Sequence, residues 1–145
     1  MKKLIDIMFG WWSTLLLLLI LLAVLTSKDV AGRIEGVFFP VTTVAQLSLI
    51  ENQDSTSSFI WGSTEKLRSC EFQKIEWRLG DLENSIIVGV SFDETSKVRP
   101  EGSFSFGPWR VQLTEHQIKT RSFAKVYHKC HILWPTQTHF YPDKE

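Results

Sequence analysis

The sequence has no excess of basic residues, and this absence excludes one broad class of function. Lysine and arginine together number 16, aspartate and glutamate also number 16, and the formal net charge is zero. Proteins that bind nucleic acids usually carry a basic patch and have a domain isoelectric point above ~9. The isoelectric point of this chain is about 6.9. The sequence therefore predicts no nucleic-acid partner.

Catalytic and cofactor-binding signatures are also missing. The sequence has no Gly-x-Ser-x-Gly motif of the kind that presents a nucleophilic serine. It has no glycine-rich loop that could hold a phosphate group and no Cys-x-x-Cys pair for a structural zinc site. We therefore expect a non-enzymatic protein with no cofactor and no bound metal.

Cysteine is scarce, since Cys70 and Cys130 are the only two. Each lies in a segment of alternating apolar residues, which is typical of a strand. An even number of cysteines outside the cytoplasm indicates a disulfide, because oxidising compartments preserve such bonds. We predict a Cys70–Cys130 disulfide. The alternative is a pair of reduced thiols that pack as small apolar side chains.

In contrast to these absences, the chain has one long apolar segment. Residues 7–27 contain no charged residue, and residues 15–25 are almost entirely aliphatic. A helix rises 1.5 Å per residue, so ~20 apolar residues cross the ~30 Å hydrocarbon core of a bilayer. Trp11 and Trp12 lie near the start of the segment, and indole rings favour the membrane interface. The pattern predicts a transmembrane signal anchor that contacts the lipid bilayer through residues 7–27.

The orientation of this helix follows from what surrounds it. Two basic residues lie close to each end of the apolar segment, so charge alone gives little bias. The short segment before the helix and the folded domain after it favour a cytoplasmic N-terminus and a periplasmic or extracellular domain. A cleaved secretory signal is the alternative, with Val30-Ala31-Gly32 as the best cleavage site.

Alternating apolar and polar residues dominate the rest of the chain, as in strands. Six or seven short strands separated by turn residues predict a mainly β fold, an antiparallel β-sandwich or a small barrel, and we favour the sandwich. A break in the alternation at Gln73-Lys74 indicates a β-bulge or a turn. The clearest strands are 41–49, 86–92 and 124–132, and residues 114–122 favour a helical turn. The predicted parts are a cytoplasmic segment 1–6, the helix 7–27, a juxtamembrane linker 28–37 and an extracytoplasmic domain 38–145.

Cys70, Trp77 and Cys130 give the domain a resemblance to the immunoglobulin-like sandwich. That fold has a cysteine on an early strand, a second on a late strand, and a buried tryptophan against the disulfide that joins its two sheets. The resemblance covers residues 38–134 and implies an inter-sheet disulfide. The sequence departs from the pattern at His128, where a tyrosine usually precedes the second cysteine by two residues.

Aromatic residues are concentrated near the C-terminus, where Trp134, Phe140 and Tyr141 lie in a segment with Pro135 and Pro142. Large aromatic side chains contribute strongly to binding at protein interfaces. Two interpretations stay open. The three residues pack back on the sandwich, or they bind a partner.

Together these features predict a single-pass, membrane-anchored, non-enzymatic binding or assembly module, such as an accessory subunit of a membrane complex. We expect a protein partner, which the sequence does not identify. One alternative is a signal-cleaved, secreted binding protein. Another is a small metal- or thiol-dependent enzyme that uses His128, Cys130 and His131, since histidine and cysteine at close spacing are zinc ligands and cysteine is a nucleophile.

Overall fold

A computed structural model of the chain describes residues 2–92 and 99–142, apart from the side chains of residues 2–10, 21 and 24–26. Within these residues, a long N-terminal helix precedes a domain of eight short strands and one short helix. The elements in chain order are α1 Lys2–Phe38, β1 Gln46–Asn52, β2 Ser58–Lys66, β3 Glu71–Gly80, β4 Ser85–Val88, β5 Val90–Ser91, β6 Gly102–Val111, α2 Glu115–Arg121, β7 Ser122–Lys129 and β8 Thr136–Tyr141.

Within the described residues the strands form two four-stranded sheets. Their orders are β1-β2-β6-β5 and β4-β3-β7-β8, and every pairing is antiparallel. The prediction of a mainly β, antiparallel domain is confirmed. The strand predicted over 86–92 is divided at Gly89, so that β4 pairs with β3 in one sheet and β5 pairs with β6 in the other.

Aromatic side chains fill the space between the two sheets. Trp77 of β3 is fully buried, and its Nε1 donates a hydrogen bond to the Ser122 hydroxyl at 2.9 Å. The rings of Phe106, Trp109 and Phe140 lie 4.4 to 5.7 Å apart. Because each such side chain removes roughly 150–250 Å² from water, this cluster supplies much of the core of a small domain.

The predicted disulfide between Cys70 and Cys130 is present. Glu71 and Lys129, the neighbours of the two cysteines, face each other in the register of β3 and β7. The bond therefore joins adjacent strands of one sheet, unlike the inter-sheet bond that the immunoglobulin-like resemblance implied. Trp77 lies at the other end of β3 and not against the disulfide.

Several local features also agree with the sequence. The register of β3 against β7 shifts between Phe72 and Lys74, which confirms a bulge where the alternation breaks. Helix α2 lies within the predicted turn and is capped by Thr114, whose hydroxyl accepts from the Gln117 backbone N–H. The strand predicted over 41–49 begins only at Gln46. Residues 41–43 lie against the end of β2, with the Thr43 N–H donating to the Glu65 carbonyl at 2.9 Å, and the Ala45 N–H donates to the Phe140 carbonyl of β8 at 2.6 Å.

Helix α1 runs without a break to Phe38, so residues 28–37, the predicted linker, form its last turns. No helix in the described part of the chain is long and apolar enough to cross a membrane. The predicted span, residues 7–27, lies partly outside the described side chains, which omit 7–10, 21 and 24–26.

Candidate functional site: the exposed helix and its junction with the sandwich

The described N-terminal side chains of α1 are all exposed. Residues 11–20 and 22 are exposed, and Leu17 is 68% exposed. Leu15 to Leu19 are five consecutive leucines, so at 3.6 residues per turn they cover every face of the helix. A helix that is apolar on all faces is typically buried in a large protein or in a membrane. The apolar surface of α1 is therefore of the kind that usually contacts a membrane or another part of a protein.

The C-terminal turns of the same helix pack closely on β8. Gly32 and Gly36, one helical turn apart, are both buried. A Cβ atom added at Gly32 would overlap the Pro135 carbonyl oxygen, and one at Gly36 would overlap that of Gln137. Glycine is required at both positions because the two backbones are nearly in contact. The helix is thus held in a fixed position on the sandwich.

Beside this contact, the carboxylate of Glu35 is surrounded by hydrogen-bond donors from the domain. Arg68 Nη1 donates to one carboxylate oxygen at 3.0 Å, and Trp134 Nε1 donates to the other at 2.9 Å. His131 Nε2 lies 2.9 Å from that second oxygen. Arg68 also donates to the Phe39 carbonyl at 2.8 Å. We call Glu35, Arg68, His131 and Trp134 the junction cluster.

The electrostatics of the junction cluster favour a charged carboxylate. Burial raises the pKa of Glu35, but hydrogen bonds from His131, Trp134 and Arg68 outweigh it and hold the pKa at about 2. The carboxylate is therefore ionised at neutral pH and forms an ion pair with Arg68. The disulfide stiffens this arrangement, because Cys70 follows Arg68 closely and Cys130 directly precedes His131.

A second polar group lies inside the sandwich. The buried Lys66 ammonium donates to the Cys70 and Arg99 carbonyls, both at 2.8 Å. His128 and Thr42 are also buried, and His128 Nδ1 and Thr42 Oγ1 have no hydrogen-bond partner among the described residues. We call Lys66, His128 and Thr42 the interior cluster.

The surroundings of the interior cluster disfavour a positive charge on Lys66 and on His128. Burial, and then the neighbouring charge of Arg99, lower the pKa of Lys66. Burial, and then the charge of Lys66, lower the pKa of His128 to about 4. Both side chains line a cavity of about 50 Å³ whose other walls are mostly aromatic. Sites for drug-sized ligands usually enclose ~300–1,000 Å³, so this cavity suits water or a small ion at most.

The three residues of the alternative enzyme hypothesis are not brought together. His128 faces the interior cavity, Cys130 is bonded to Cys70, and His131 contacts Glu35. The bonded Cys130 sulfur cannot serve as a nucleophile or as a zinc thiolate. In the described ranges, no three His, Cys, Asp or Glu side chains are grouped so that they could hold a metal ion.

The three aromatic residues near the C-terminus all make contacts within the protein. Trp134 is bonded to Glu35, Phe140 is buried in the core, and the Tyr141 ring lies 5.7 Å from that of Trp77. These contacts correspond to the first interpretation of the sequence, in which the segment packs back on the sandwich. Partner binding by these residues stays a prediction.

Sequence reasoning did not single out Glu35, Arg68, Lys66 or the two packed glycines. The spacing of Gly32 and Gly36 was a usable signal, because small residues four apart line one face of a helix. The position of Glu35 over Arg68 and His131 depends on tertiary contacts between residues far apart in the chain.

Comparisons of this chain with models of protein families, with characterised proteins and with solved structures give no match.

Proposed function

We propose that the chain is a single-pass, membrane-anchored, non-enzymatic binding or assembly module whose sandwich lies outside the cytoplasm. The observation that carries the proposal is the exposed apolar surface of α1 over residues 11–20 and 22. Soluble monomers rarely expose a contiguous apolar patch of more than a few hundred Å². An amphipathic helix on a membrane surface has a polar face, and the run Leu15 to Leu19 leaves no room for one. A bilayer is the environment that suits such a helix.

The packing of α1 supports a retained anchor over a cleaved signal. The best cleavage site, Val30-Ala31-Gly32, lies within the turns that contact β8. Cleavage there would separate Gly32 from Gly36 or leave the junction cluster on a frayed helix end. The secreted form is therefore the less favoured function.

The disulfide supports the proposed location of the domain. Disulfides persist in oxidising compartments and are rare in the cytoplasm. With the domain following the helix, a cytoplasmic N-terminus and a periplasmic or extracellular sandwich satisfy this condition. The immunoglobulin-like resemblance adds nothing to the proposal, because the disulfide lies within one sheet.

The rigid junction supports a role in assembly. A flexible linker lets a domain move relative to its anchor, whereas α1 continues as helix up to Phe38 and is bonded to the sandwich through Glu35. A protein partner would therefore meet the helix and the sandwich in one fixed arrangement. Such preorganisation reduces the entropy lost on binding.

The test begins with the full-length chain in cells. We expect the protein to resist alkaline carbonate extraction from membranes. Its intact mass should correspond to a chain that begins at Met1 or Lys2. The sandwich should be accessible to protease only from the outer side of the membrane. Leu18→Arg should make the free energy of membrane insertion about 3 kcal/mol less favourable, since an arginine at the centre of a transmembrane helix costs about that much. Leu18→Ile is the matched control and should behave as the wild type.

Three results would count against the proposal. Complete extraction of the wild-type protein by carbonate would exclude an integral anchor. A mass that begins after residue 30 would favour the secreted form. Free thiols at Cys70 and Cys130 in protein taken directly from cells would place the domain in a reducing compartment.

A further inference from the structure

The interior cavity is bordered by buried polar side chains from both sheets. Lys66 ends β2 in one sheet, and His128 lies on β7 in the other. Thr42 is placed beside Lys66 by an isolated antiparallel bridge between the two residues. None of the three is more than 5% exposed. Because buried polar groups nearly always have hydrogen-bond partners, the bonding of each one requires an explanation.

All three groups have hydrogen-bonding capacity that the described residues do not use. The Lys66 ammonium has three N–H donors and gives two of them to the Cys70 and Arg99 carbonyls. Thr42 Oγ1 and His128 Nδ1 have no partner in the described ranges. Both of these residues and Lys66 line the same cavity. One ammonium N–H, one hydroxyl and one ring nitrogen are therefore left to bind a species inside it.

The charges around the cavity favour an anion as that species. Lys66 and Arg99 are both in its lining, whereas no aspartate or glutamate is among the described residues that line it. The charge of Arg99 acts on Lys66 more strongly than the opposite charge of Glu101 does. The two carbonyl partners of Lys66 carry no net charge. Since a buried ammonium without an opposite charge is costly, a negative ion beside it would stabilise the domain.

The size of the cavity and the number of donors restrict the anion to a small one. A cavity needs ~10–15 Å³ to hold one water molecule, and this cavity measures about 50 Å³. A carboxylate has about four acceptor sites, and a phosphate has more, whereas only three donor groups are available here. The other walls are mostly aromatic and supply no further donors. A monatomic anion such as chloride fits both the volume and the donor set.

We propose that the interior cavity is a binding site for a chloride-sized anion, held by Lys66, Thr42 and His128. The Lys66 ammonium donates its third N–H to the ion, Thr42 donates its hydroxyl, and His128 donates from Nδ1 in the tautomer that carries the proton there. Chloride accepts all three hydrogen bonds and supplies the negative charge that the ammonium lacks, whereas a water molecule supplies none. The site goes beyond the proposed function and does not depend on the position of α1 in a membrane.

The test uses the full-length chain in a non-ionic detergent at neutral pH. Sodium gluconate, whose anion is too large for the cavity, is replaced stepwise by sodium chloride or sodium bromide at constant ionic strength. The line width of the chloride NMR signal measures binding, and the nitrogen chemical shifts of the His128 ring report where the ion binds. We expect a saturable broadening that bromide reverses, and His128 shifts that follow the same curve. The unfolding temperature should rise along this curve, because the ion binds the folded chain.

Three variants separate the site from general effects of salt. Lys66→Met should abolish the chloride response. Thr42→Val keeps the shape of the side chain and removes the hydroxyl, so it should weaken chloride binding about tenfold, as expected for one hydrogen bond to a charged group. Lys129→Met is the matched control, because Lys129 is an exposed lysine on β7, and it should respond as the wild type does.

Two results would overturn the inference. A wild-type chain without saturable broadening would show that the cavity holds only water. Broadening that is equal in Thr42→Val and in the wild type, with His128 shifts that do not move, would show that chloride binds elsewhere. If Lys66→Met does not fold, the Thr42→Val variant and the His128 shifts of the wild type decide between these outcomes.

Discussion

The junction cluster is a half-buried group of polar side chains and the interior cluster is a buried one, and the two are built in opposite ways. In the junction cluster, Glu35 has three side-chain partners, and one of them is the cation Arg68. In the interior cluster, the cation Lys66 is held by carbonyl oxygens, and His128 Nδ1 has no partner in the described part of the chain. The first group stabilises a charge, and the second penalises it.

This difference shows which cluster is suited to hold the helix. A charge that is partly removed from water is tolerated when its hydrogen bonds are complete, and such a group fixes the relative position of the elements that supply them. The junction cluster meets that condition, with donors from the β2–β3 and β7–β8 connections around a residue of α1. The interior cluster keeps His128 neutral and disfavours the charge of Lys66. It therefore makes the stability of the domain depend on pH, and it does not connect α1 to the sandwich. Residues 66–70 contribute to both clusters.

The largest effect is expected where the junction is broken sterically. Gly36→Val would place side-chain atoms in the Gln137 backbone, and since that carbonyl belongs to a paired strand, the helix must move away. Overpacking usually costs about 1–3 kcal/mol, and we expect about 3 kcal/mol for this backbone contact. Hydrogen exchange of residues 28–38 and thermal unfolding would measure the effect.

The matched control for this substitution lies in the exposed half of the same helix. Ala23→Val also introduces a β-branched side chain, but residue 23 is exposed and the change should shift the unfolding temperature very little. Unchanged exchange in the Gly36→Val variant would show that α1 does not depend on its contact with β8. The interior cluster should be unaffected, so the pH dependence described next should persist in this variant.

The interior cluster should make the domain sensitive to mild acid. The folded pKa of His128 is about 4, below the ordinary 6.5, so the unfolded chain binds the proton more tightly between these values. The stability contributed by neutral His128 is therefore full above pH 6.5 and falls as the pH decreases toward 4. The loss over this range should reach about 2–3 kcal/mol, measured by chemical denaturation at a series of pH values.

His128→Phe provides the comparison, because it has no titratable group in the same position. In this variant the decrease in stability between pH 6.5 and 4 should be absent, whatever the stability at neutral pH. An unchanged pH profile would mean that His128 is not the group that titrates. It would also remove the contrast between the two clusters.

The pattern of apolar residues predicts a strand in this protein only where the buried side chains are apolar and the exposed ones are polar. The alternation over 124–132 correctly predicted β7 as far as Lys129, because its inward residues Ala124 and Val126 are apolar, but residues 130–132 lie beyond the strand. Strand β2 was missed for the opposite reason. Its buried face carries Ser58, Thr64 and Lys66 as well as Ile60 and Gly62, while Phe59 and Trp61 are on the less buried face. A pattern based on apolar residues cannot identify a strand whose polar residues point inward.

The same physical reason explains the limits at the candidate site. The apolar segment of α1 and the disulfide are local or compositional signals, and both were available from the sequence. The polar residues that follow the apolar segment predict a linker over residues 28–37. In the structure the glycines permit the contact with β8, and Glu35 pairs with Arg68. These roles depend on contacts that no local pattern encodes.

The smallest effect is expected from the polar part of the junction. Glu35→Gln keeps the size of the side chain but removes the charge that Arg68 neutralises, and we expect a cost of about 1–2 kcal/mol because the group is partly solvated. The pKa of Glu35 is about 2, below the ordinary 4.5, so its contribution is full above pH 4.5 and is lost as the pH falls through about 2. This pH window lies below that of His128.

Glu76→Gln is the control, because Glu76 is also an ion-paired carboxylate, bound by Lys74 and Arg78 on the sandwich. Faster hydrogen exchange of residues 28–38 in Glu35→Gln alone would show that the junction cluster holds α1 on the sandwich. Equal exchange in both variants would show that the packing of the two glycines holds it there.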